Sequence, residues 1–264
     1  ATLPAGTRSE LLAAFSRGLG RTYQEGGASA AYPRVTWISG SGTGCAHIGG
    51  TPGRTVLLKQ LNPADGDWMA ALRERLESGG CAAVLCNTVG RAQEVFTALQ
   101  AYFAPEELML FHARYPFDDR MVREQMVLER FGKHGDRPRR MACVATQVIE
   151  QSLDIDFDLM VSELAPVDLI LQRSGRVWRH VRPDRPGHFS GPELWLLLPP
   201  VSPDGVPEFD RASIRVYDEH ILLRSHLVLR DLPALLIPDE VEGLIEAVYQ
   251  RTEPPEDLPP ALAV

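Results

Sequence analysis

The segment Ala82-Ala83-Val84-Leu85-Cys86 is an uninterrupted run of small and apolar residues. Such a run, with no alternation of polar and apolar positions, is typical of a strand buried on both faces of a sheet. Similar runs recur along the chain, separated by helical patterns of roughly a dozen residues. This alternation predicts an α/β fold in which helices flank a mostly parallel sheet. The predicted strands are 82–86, 108–111, 141–146, 157–161 and 194–198, and the predicted helices are 67–77, 90–102, 118–131 and 167–173.

Polar residues follow three of these strands at the point where each strand ends. Asn87-Thr88 follows the first strand, His112-Ala113-Arg114 the second and Thr146-Gln147 the third. In parallel α/β sheets, ligands bind beyond the carboxyl ends of the strands. The sequence therefore predicts a ligand-facing edge built from these three segments.

Net charge limits the classes of function. The 264 residues include 27 Lys and Arg against 35 Asp and Glu, which gives a formal net charge of −8. Acidity taken alone argues against nucleic-acid binding, because nucleic-acid-binding domains usually carry a basic surplus. Residues 199–264 hold 5 basic and 13 acidic side chains, however, so the first 198 residues are balanced. The overall charge therefore does not exclude a nucleic-acid partner.

Composition also bears on the compartment. No run of about 18 apolar residues is present, so no membrane span is expected. The four cysteines show no CxxC spacing and stand mostly in apolar segments, which predicts buried free thiols in a reducing cytoplasm. No metal site is expected.

The chain is expected to have three parts. A glycine-rich passage over 39–53 predicts a hairpin tip between strands 34–38 and 55–60. A Pro-rich linker after the α/β region precedes two predicted helices, 212–229 and 239–251. The predicted parts are 1–62, 63–198 and 199–264.

The positions of the lysines exclude a P-loop in this sequence. Only Lys59 and Lys133 are present, and neither stands in the G-x-x-x-x-G-K-[ST] pattern that a P-loop requires.

Residues 172–179 read Gln-Arg-Ser-Gly-Arg-Val-Trp-Arg, with arginines at 173, 176 and 179. On a helix this spacing would place the three side chains on one side. Crowded guanidinium groups repel one another unless an anion lies among them, and each offers a planar fork that matches phosphate oxygens. The string predicts an anion site; the alternative is a solvated basic face. Residues 173–185 hold five arginines against the single Asp184, so positive charge is expected at phosphate sites.

Residues 172–179 resemble motif VI of superfamily 2 helicases, and residues 145–156 (ATQVIEQSLDID) resemble their motif V. Residues 145–156 and 165–180 (APVDLILQRSGRVWRH) together resemble the sequences of type I CRISPR-associated helicase-nucleases more closely than those of DEAD-box or restriction-enzyme relatives. Residues 84–88 are similar to motif IV, residues 112–120 to the stretch that follows it, and residues 1–4 to the end of motif III.

The resemblance implies the second RecA-like domain and the start of an accessory region. The chain is expected to begin inside motif III, with residues 1–62 as a connector. The first RecA-like domain, which would carry the P-loop and the Mg²⁺ ligands for ATP, and the HD nuclease domain are then expected outside it. With that half, the family is an ATP-driven 3′ to 5′ translocase on single-stranded DNA, recruited by an RNA-guided CRISPR surveillance complex in the prokaryotic cytoplasm. The chain alone is expected to be inactive as an ATPase.

The resemblance also assigns nucleotide-binding roles. Arg176 and Arg179 would be arginine fingers that offset charge on the γ-phosphate. Gln172 and Arg173 would contact phosphate or relay between motifs, and Asp154 would accept a hydrogen bond from the ribose.

Nucleic-acid contacts follow from the same resemblance. Asn87, Thr88 and Thr146 would hydrogen-bond the phosphate backbone of single-stranded DNA, which carries no sequence information. His112 and Arg114 are candidates for the same track, and His112 is equally interpreted as a satisfied polar residue at a strand end. Two alternative functions remain at this point: a motor subunit of another superfamily 2 system, such as a restriction system, and a recruitment module that has lost catalysis.

Overall fold

The computed structural model describes residues 3–22, 31–49, 52–63, 67–150 and 153–250. Residues 1–2 of the predicted motif III remnant and 151–152 of the predicted motif V lie outside the described residues. The chain divides into two compact units. Among the described residues, the smaller combines those up to Thr55 with 235–250, and the larger contains Val56–Ala234.

The described residues form nine strands and eight α-helices. The strands are β1 (Arg34–Ser39), β2 (Gly42–His47), β3 (Arg54–Leu61), β4 (Gly80–Leu85), β5 (Leu108–Phe111), β6 (Arg140–Ala145), β7 (Leu159–Glu163), β8 (Glu193–Leu197) and β9 (Ala234–Ile237). The helices are α1 (Ala5–Gly18), α2 (Trp68–Arg75), α3 (Val89–Leu99), α4 (Phe117–Phe131), α5 (Val167–Ser174), α6 (Ser213–Val216), α7 (Glu219–Leu229) and α8 (Val241–Tyr249). None of the described helices is long and apolar enough to cross a bilayer.

A parallel sheet organises the larger unit. Six strands of the sheet lie in this unit in the order β5-β6-β4-β7-β8-β3. Each neighbouring pair is parallel, and helices follow β4, β5 and β7 as crossover connections. The structure therefore confirms the predicted α/β fold with a mostly parallel sheet flanked by helices.

The core of this unit includes the strand predicted to be buried on both faces. All six residues of β4 are buried, as its uninterrupted apolar run predicts. Side chains from α2 and α3 pack against the strands in one apolar cluster, where each large buried side chain contributes about 1.5–3 kcal/mol. The four cysteines are free thiols; Cys81, Cys86 and Cys143 are buried and Cys45 is half-buried.

Single residues define the beginnings of β4 and α3. Gly80 opens β4 with a φ of +119°, and a Cβ at this position would lie 2.7 Å from the Phe189 ring. Both facts require glycine. Thr88 caps α3, because its hydroxyl accepts a hydrogen bond from the N–H of Arg91; such a cap contributes about 1 kcal/mol.

The predicted single helix over 212–229 is wrong. Helix α6 ends at Val216, and Tyr217 is extended with φ −128° and ψ 148°. Asp218 then caps α7 by accepting from the N–H of Ile221 at 3.2 Å. A carboxylate that caps a new helix competes with continuation of the preceding one, and this explains the break.

In the smaller unit the predicted hairpin has a different second strand. Strand β1 pairs with β2 in antiparallel register, from Arg34↔His47 to Ser39↔Gly42, so the turn contains only Gly40 and Ser41. The predicted pairing of 34–38 with 55–60 across a long tip is therefore wrong. Two-residue turns are the commonest hairpin connections, and the glycine-rich passage itself supplies the partner strand.

Helix α7 buries a titratable group. Its inward face includes Leu222, Ser225, His226 and Leu229, and the hydroxyl of Ser225 accepts from the N–H of Val167 at 3.1 Å. His226 is only 3% exposed. Burial lowers the pKa of His226 to about 4, so the folded protein holds a neutral imidazole there.

The buried imidazole predicts a stability loss in acid. An unfolded histidine titrates near pH 6.5, so below that pH the unfolded chain binds a proton that the fold excludes. We expect the free energy of unfolding to fall between about pH 6.5 and 4, by up to about 1.4 kcal/mol per pH unit from this group. His226→Leu should remove that slope in urea unfolding measured across this range. His220→Leu, on the exposed side of the same helix, should leave the slope unchanged, and equal effects of the two variants would contradict the assignment.

Candidate functional site

The three polar segments predicted at one sheet edge lie side by side. The last residues of β4, β5 and β6 are in register, with Ala145 paired to both Leu85 and Phe111. The N–H of Thr146 donates to the carbonyl of Phe111 at 3.3 Å. The Gln147 Nε2 group donates to the carbonyl of Asn87 at 2.8 Å. Parallel pairing therefore brings motifs IV and V together, as predicted.

Asn87 is engaged within the protein. It is 4% exposed, and its Nδ2 group donates to the carbonyl of Leu164 at 2.8 Å and to Ser213 Oγ at 3.3 Å. Its backbone N–H donates to Glu163 Oε2 at 2.7 Å. Among the described residues, the Asn87 Oδ1 atom is buried without a hydrogen-bond partner. Thr146, 3% exposed, is equally enclosed.

His112 is buried as well, whereas its neighbour Arg114 is exposed. The His112 ring stacks on Tyr115 with centroids 4.2 Å apart, and its Nδ1 accepts from the N–H of Arg114 at 3.3 Å. Burial lowers the pKa of His112, which favours the neutral imidazole. Arg114 and the half-buried Thr88 are therefore the predicted contacts that solvent reaches in this conformation.

Motif VI is not one helix. Helix α5 ends at Ser174, so Arg173 is helical while Arg176 and Arg179 follow the helix. The N–H of Phe157 donates to the carbonyl of Arg176, and the N–H of Trp178 donates to the carbonyl of Phe157, each at 2.9 Å. The helical alignment of the three arginines that their spacing would allow is therefore not formed, because the backbone after α5 pairs with the segment around Phe157, and α5 ends within one residue of the predicted helix 167–173.

Arg173 is fully buried and has four partners. Its Nε donates to Glu150 at 2.7 Å, its Nη1 to Ser162 Oγ at 2.7 Å and to the carbonyl of Glu163 at 3.1 Å, and its Nη2 to the Tyr217 hydroxyl at 3.3 Å. These bonds connect motif VI to motif V, to β7 and to the residue that follows α6.

Arg176 is half-buried against motif V. Its guanidinium donates to the carbonyl of Glu150 at 3.0 Å and to the carbonyl of Leu153. Burial, together with the nearby charge of Arg179, lowers the pKa of Arg176. These bonds hold the motif V turn against motif VI.

Arg179 and Asp154 form an exposed pair. Arg179 Nε donates to Asp154 Oδ1 at 2.6 Å, and His180 Nε2 lies 3.1 Å from the same oxygen. The hydrogen bond from Arg179 holds the pKa of Asp154 below its usual range. Gln172 is exposed in the last turn of α5. The predicted nucleotide residues other than Arg173 are thus accessible at least in part.

Sequence reasoning missed a buried ion cluster beside this site. Asp156 and Asp158 are fully buried, and three arginines with side chains 5–7% exposed surround them: Arg137, Arg182 and Arg185. The interpretation of 173–185 as wholly phosphate-directed charge is therefore wrong for Arg182 and Arg185, whose charges are offset internally. The alternation of aspartates at 154, 156 and 158 was the available signal.

A cavity of about 530 Å³ opens near the same edge of the sheet. Its charged lining has one arginine, Arg91, and four carboxylates, those of Glu94, Glu163, Glu208 and Asp210. Arg91 Nε is itself bound to Glu163 at 2.9 Å. The lining is therefore acidic, which disfavours an anion in this cavity.

Comparison with known proteins gives consistent matches. Residues 78–182 match the family described as CRISPR-associated nuclease/helicase Cas3, C-terminal. The CRISPR-associated endonuclease/helicase Cas3 of Thermus thermophilus is 34% identical over 99% of this chain and 32% of its own length. The chain thus spans about a third of that curated relative.

Solved structures agree. A crystal structure of a CRISPR-associated protein has 46% identity and a TM-score of 0.93 over 99% of this chain and 29% of that one. T. fusca Cas3 with AMPPNP has 32% identity and a TM-score of 0.82 over 97% of this chain and 32% of that one. A CRISPR RNA-guided surveillance complex in a pre-nicking state contains a chain with 31% identity and a TM-score of 0.81, covering 98% and 34%.

The two kinds of arginine predict different stability effects. Arg173→Ala removes a fully buried guanidinium and leaves the largely enclosed Glu150 carboxylate without its partner, which should cost about 3–5 kcal/mol. Arg179→Ala removes only an exposed pair with Asp154 and should cost at most about 1 kcal/mol. Urea unfolding followed by circular dichroism measures both, and equal losses would contradict the structural role of Arg173.

Proposed function

We propose that this chain, whose residues 78–182 match the C-terminal family of the CRISPR-associated nuclease/helicase Cas3, is the second RecA-like half of an ATP-dependent single-stranded DNA translocase in CRISPR interference. The observation that carries this proposal is the partly accessible pair of arginines, Arg176 and Arg179, beside Asp154. A solved CRISPR RNA-guided surveillance complex contains a chain related to this one, and it supports the same pathway and partner.

Nucleotide binding is proposed at motif VI. Arg179 is held by an exposed ion pair, which is weak and is readily exchanged for a phosphate contact. Arg176 and Arg179 would then offset charge on the γ-phosphate, and Asp154, released from Arg179, would accept from the ribose. The relative solved with AMPPNP supports nucleotide binding by this protein. The phosphate grip and the Mg²⁺ ligands are proposed to come from the first RecA-like half, since neither Lys59 nor Lys133 stands in a P-loop pattern.

Single-stranded DNA is proposed to run along the carboxyl edge of β4, β5 and β6. Thr88 and Arg114 are the accessible side chains for phosphate contacts. Asn87, Thr146 and His112 support this edge from beneath, since their side chains are enclosed. Contacts of this kind read no base identity, which suits a translocase.

Coupling between the two sites is proposed to pass through Arg173. Its guanidinium joins motif V, through Glu150, to motif VI. Gln147 continues the connection from motif V to Asn87 of motif IV. A shift of the motif VI arginines on nucleotide binding would therefore move polar groups at the DNA edge.

The 264-residue chain alone should show no ATPase activity, because arginine fingers without a phosphate grip catalyse nothing. Joined to a P-loop half, Arg176→Ala and Arg179→Ala should each lower kcat by roughly 10³-fold or more. Arg73→Ala, on an exposed face of α2, is the matched control and should leave kcat unchanged. An ATPase rate in the purified chain that Arg176→Ala abolishes would overturn the assignment, and unchanged rates would support the recruitment-module alternative.

Binding of a fluorescent oligo(dT) should weaken with salt. Arg114→Ala should lower the affinity several-fold at low salt and reduce the slope of log affinity against log salt by about 0.7, the value for one phosphate contact on a single strand. Thr88→Ala combined with it should weaken binding further without changing the slope. Arg73→Ala removes one charge from the end of α2 that precedes β4, and it should change neither quantity. An unchanged slope in Arg114→Ala would exclude this edge as the DNA track.

A further inference from the structure

Trp178 has an uncommon backbone conformation for a bulky residue. Its φ is +49°, in the left-handed region, and it is the only non-glycine residue with positive φ in the described part of the chain. Such a conformation costs of order 1–3 kcal/mol and persists only where surrounding contacts enforce it. It lies directly before Arg179, so it determines where the Arg179 backbone turns.

One segment supplies the contacts that enforce this turn. Asp156 Oδ1 accepts from the N–H of Arg179 at 2.7 Å. The carbonyl of Phe157 accepts from the N–H of Trp178 at 2.9 Å, and the carbonyl of Asp158 accepts from the Trp178 indole N–H at 3.1 Å. We call residues 156–158 the Asp-Phe-Asp clamp.

The clamp is itself fixed by the buried ion cluster. Asp156 Oδ2 accepts from Arg182 Nε at 2.5 Å and from Arg185 Nη2 at 2.8 Å. Asp158 accepts from Arg137 Nη2 at 2.8 Å and from Arg185. Because a buried carboxylate is stable only when its partners satisfy it, these bonds hold both aspartates in place.

Asp156 therefore has two distinct oxygens. Oδ2 belongs to the ion cluster, whereas Oδ1 points at the Arg179 backbone. Asp158 is equally buried and equally charged, and it also contacts Arg185, but none of its side-chain contacts reaches Arg179. The two aspartates thus share the ion cluster, but Asp158 Oδ2 also accepts from the N–H of Cys81 at 2.7 Å, whereas Asp156 contacts Arg179.

We propose that Asp156 is a positioning residue that sets the arginine finger Arg179 through its backbone, with the strained Trp178 turn held in place by the same clamp. Asp154 contacts the Arg179 guanidinium, and Asp156 two residues later contacts its N–H. Asp154 therefore holds the side chain of Arg179, and Asp156 holds its backbone. The catalytic consequence rests on the proposed ATPase function; the structural statement does not.

Amide hydrogen exchange of the isotopically labelled 264-residue chain tests the structural statement. In the wild type, the Arg179 amide should exchange roughly 10- to 100-fold more slowly than the amide of exposed Val181, because it is bonded to a buried carboxylate. Asp156→Ala should remove this protection. Asp158→Ala removes the same charge from the cluster and should retain it.

A conservative variant keeps the test decisive if Asp156→Ala fails to fold. Asp156→Asn loses the charge but keeps an oxygen for the Arg179 N–H, so the protection should persist. The proposal is overturned if the wild-type amide is unprotected, or if Asp158→Ala abolishes the protection as completely as Asp156→Ala does.

ATPase measurement with a P-loop half separates the two proposals. Asp156→Ala should lower kcat by roughly 10-fold more than Asp158→Ala, with similar KM, since only the former releases Arg179. Equal losses of kcat would overturn the catalytic role of Asp156. Absence of ATPase activity in the wild-type assembly would instead refute the proposed function, and the amide result would still decide the structural statement.

Discussion

The arrangement of the larger unit depends on the burial of one guanidinium. Arg173 is removed from water completely, and a buried charge is tolerated only when its donors are satisfied. The partners come from separate places in the sequence: Glu150 in motif V, Ser162 and Glu163 in β7, and Tyr217 after α6. Each of these must be correctly placed for the others to be stable. Together with the buried apolar side chains of α5, these hydrogen bonds fix the position of motif VI relative to the sheet.

Much of the larger unit is predictable from sequence because apolar runs and short local signals determine it. The strand 108–111 agrees with β5 at both ends, and the predicted helix 167–173 differs from α5 by one residue. Where prediction is wrong, a specific competing contact decides the structure. Asp218 caps a second helix, and Gly40-Ser41 allows a tighter hairpin. The sequence around Asp218 and around Gly40-Ser41 does not by itself show that these contacts replace the longer helix and the longer hairpin tip.

The candidate site is predictable in its components but not in its conformation. The spacing of the motif VI arginines identifies them, yet the left-handed turn at Trp178 and the backbone pairing with Phe157 depend on contacts between distant segments. The same limit applies to charge. Counting arginines over 173–185 does not show that Arg182 and Arg185 face Asp156, since a sum over sequence ignores which charges are paired in space. The residues left to attract an anion are consequently few.

The hydroxyl of Tyr217 has a mechanical consequence. This single oxygen accepts from Gln147 at 2.8 Å and from Arg173 at 3.3 Å, and it stands where the chain leaves α6 toward α7. A displacement of Tyr217 would therefore act on motif V and on motif VI at the same time, through one hydrogen bond to each.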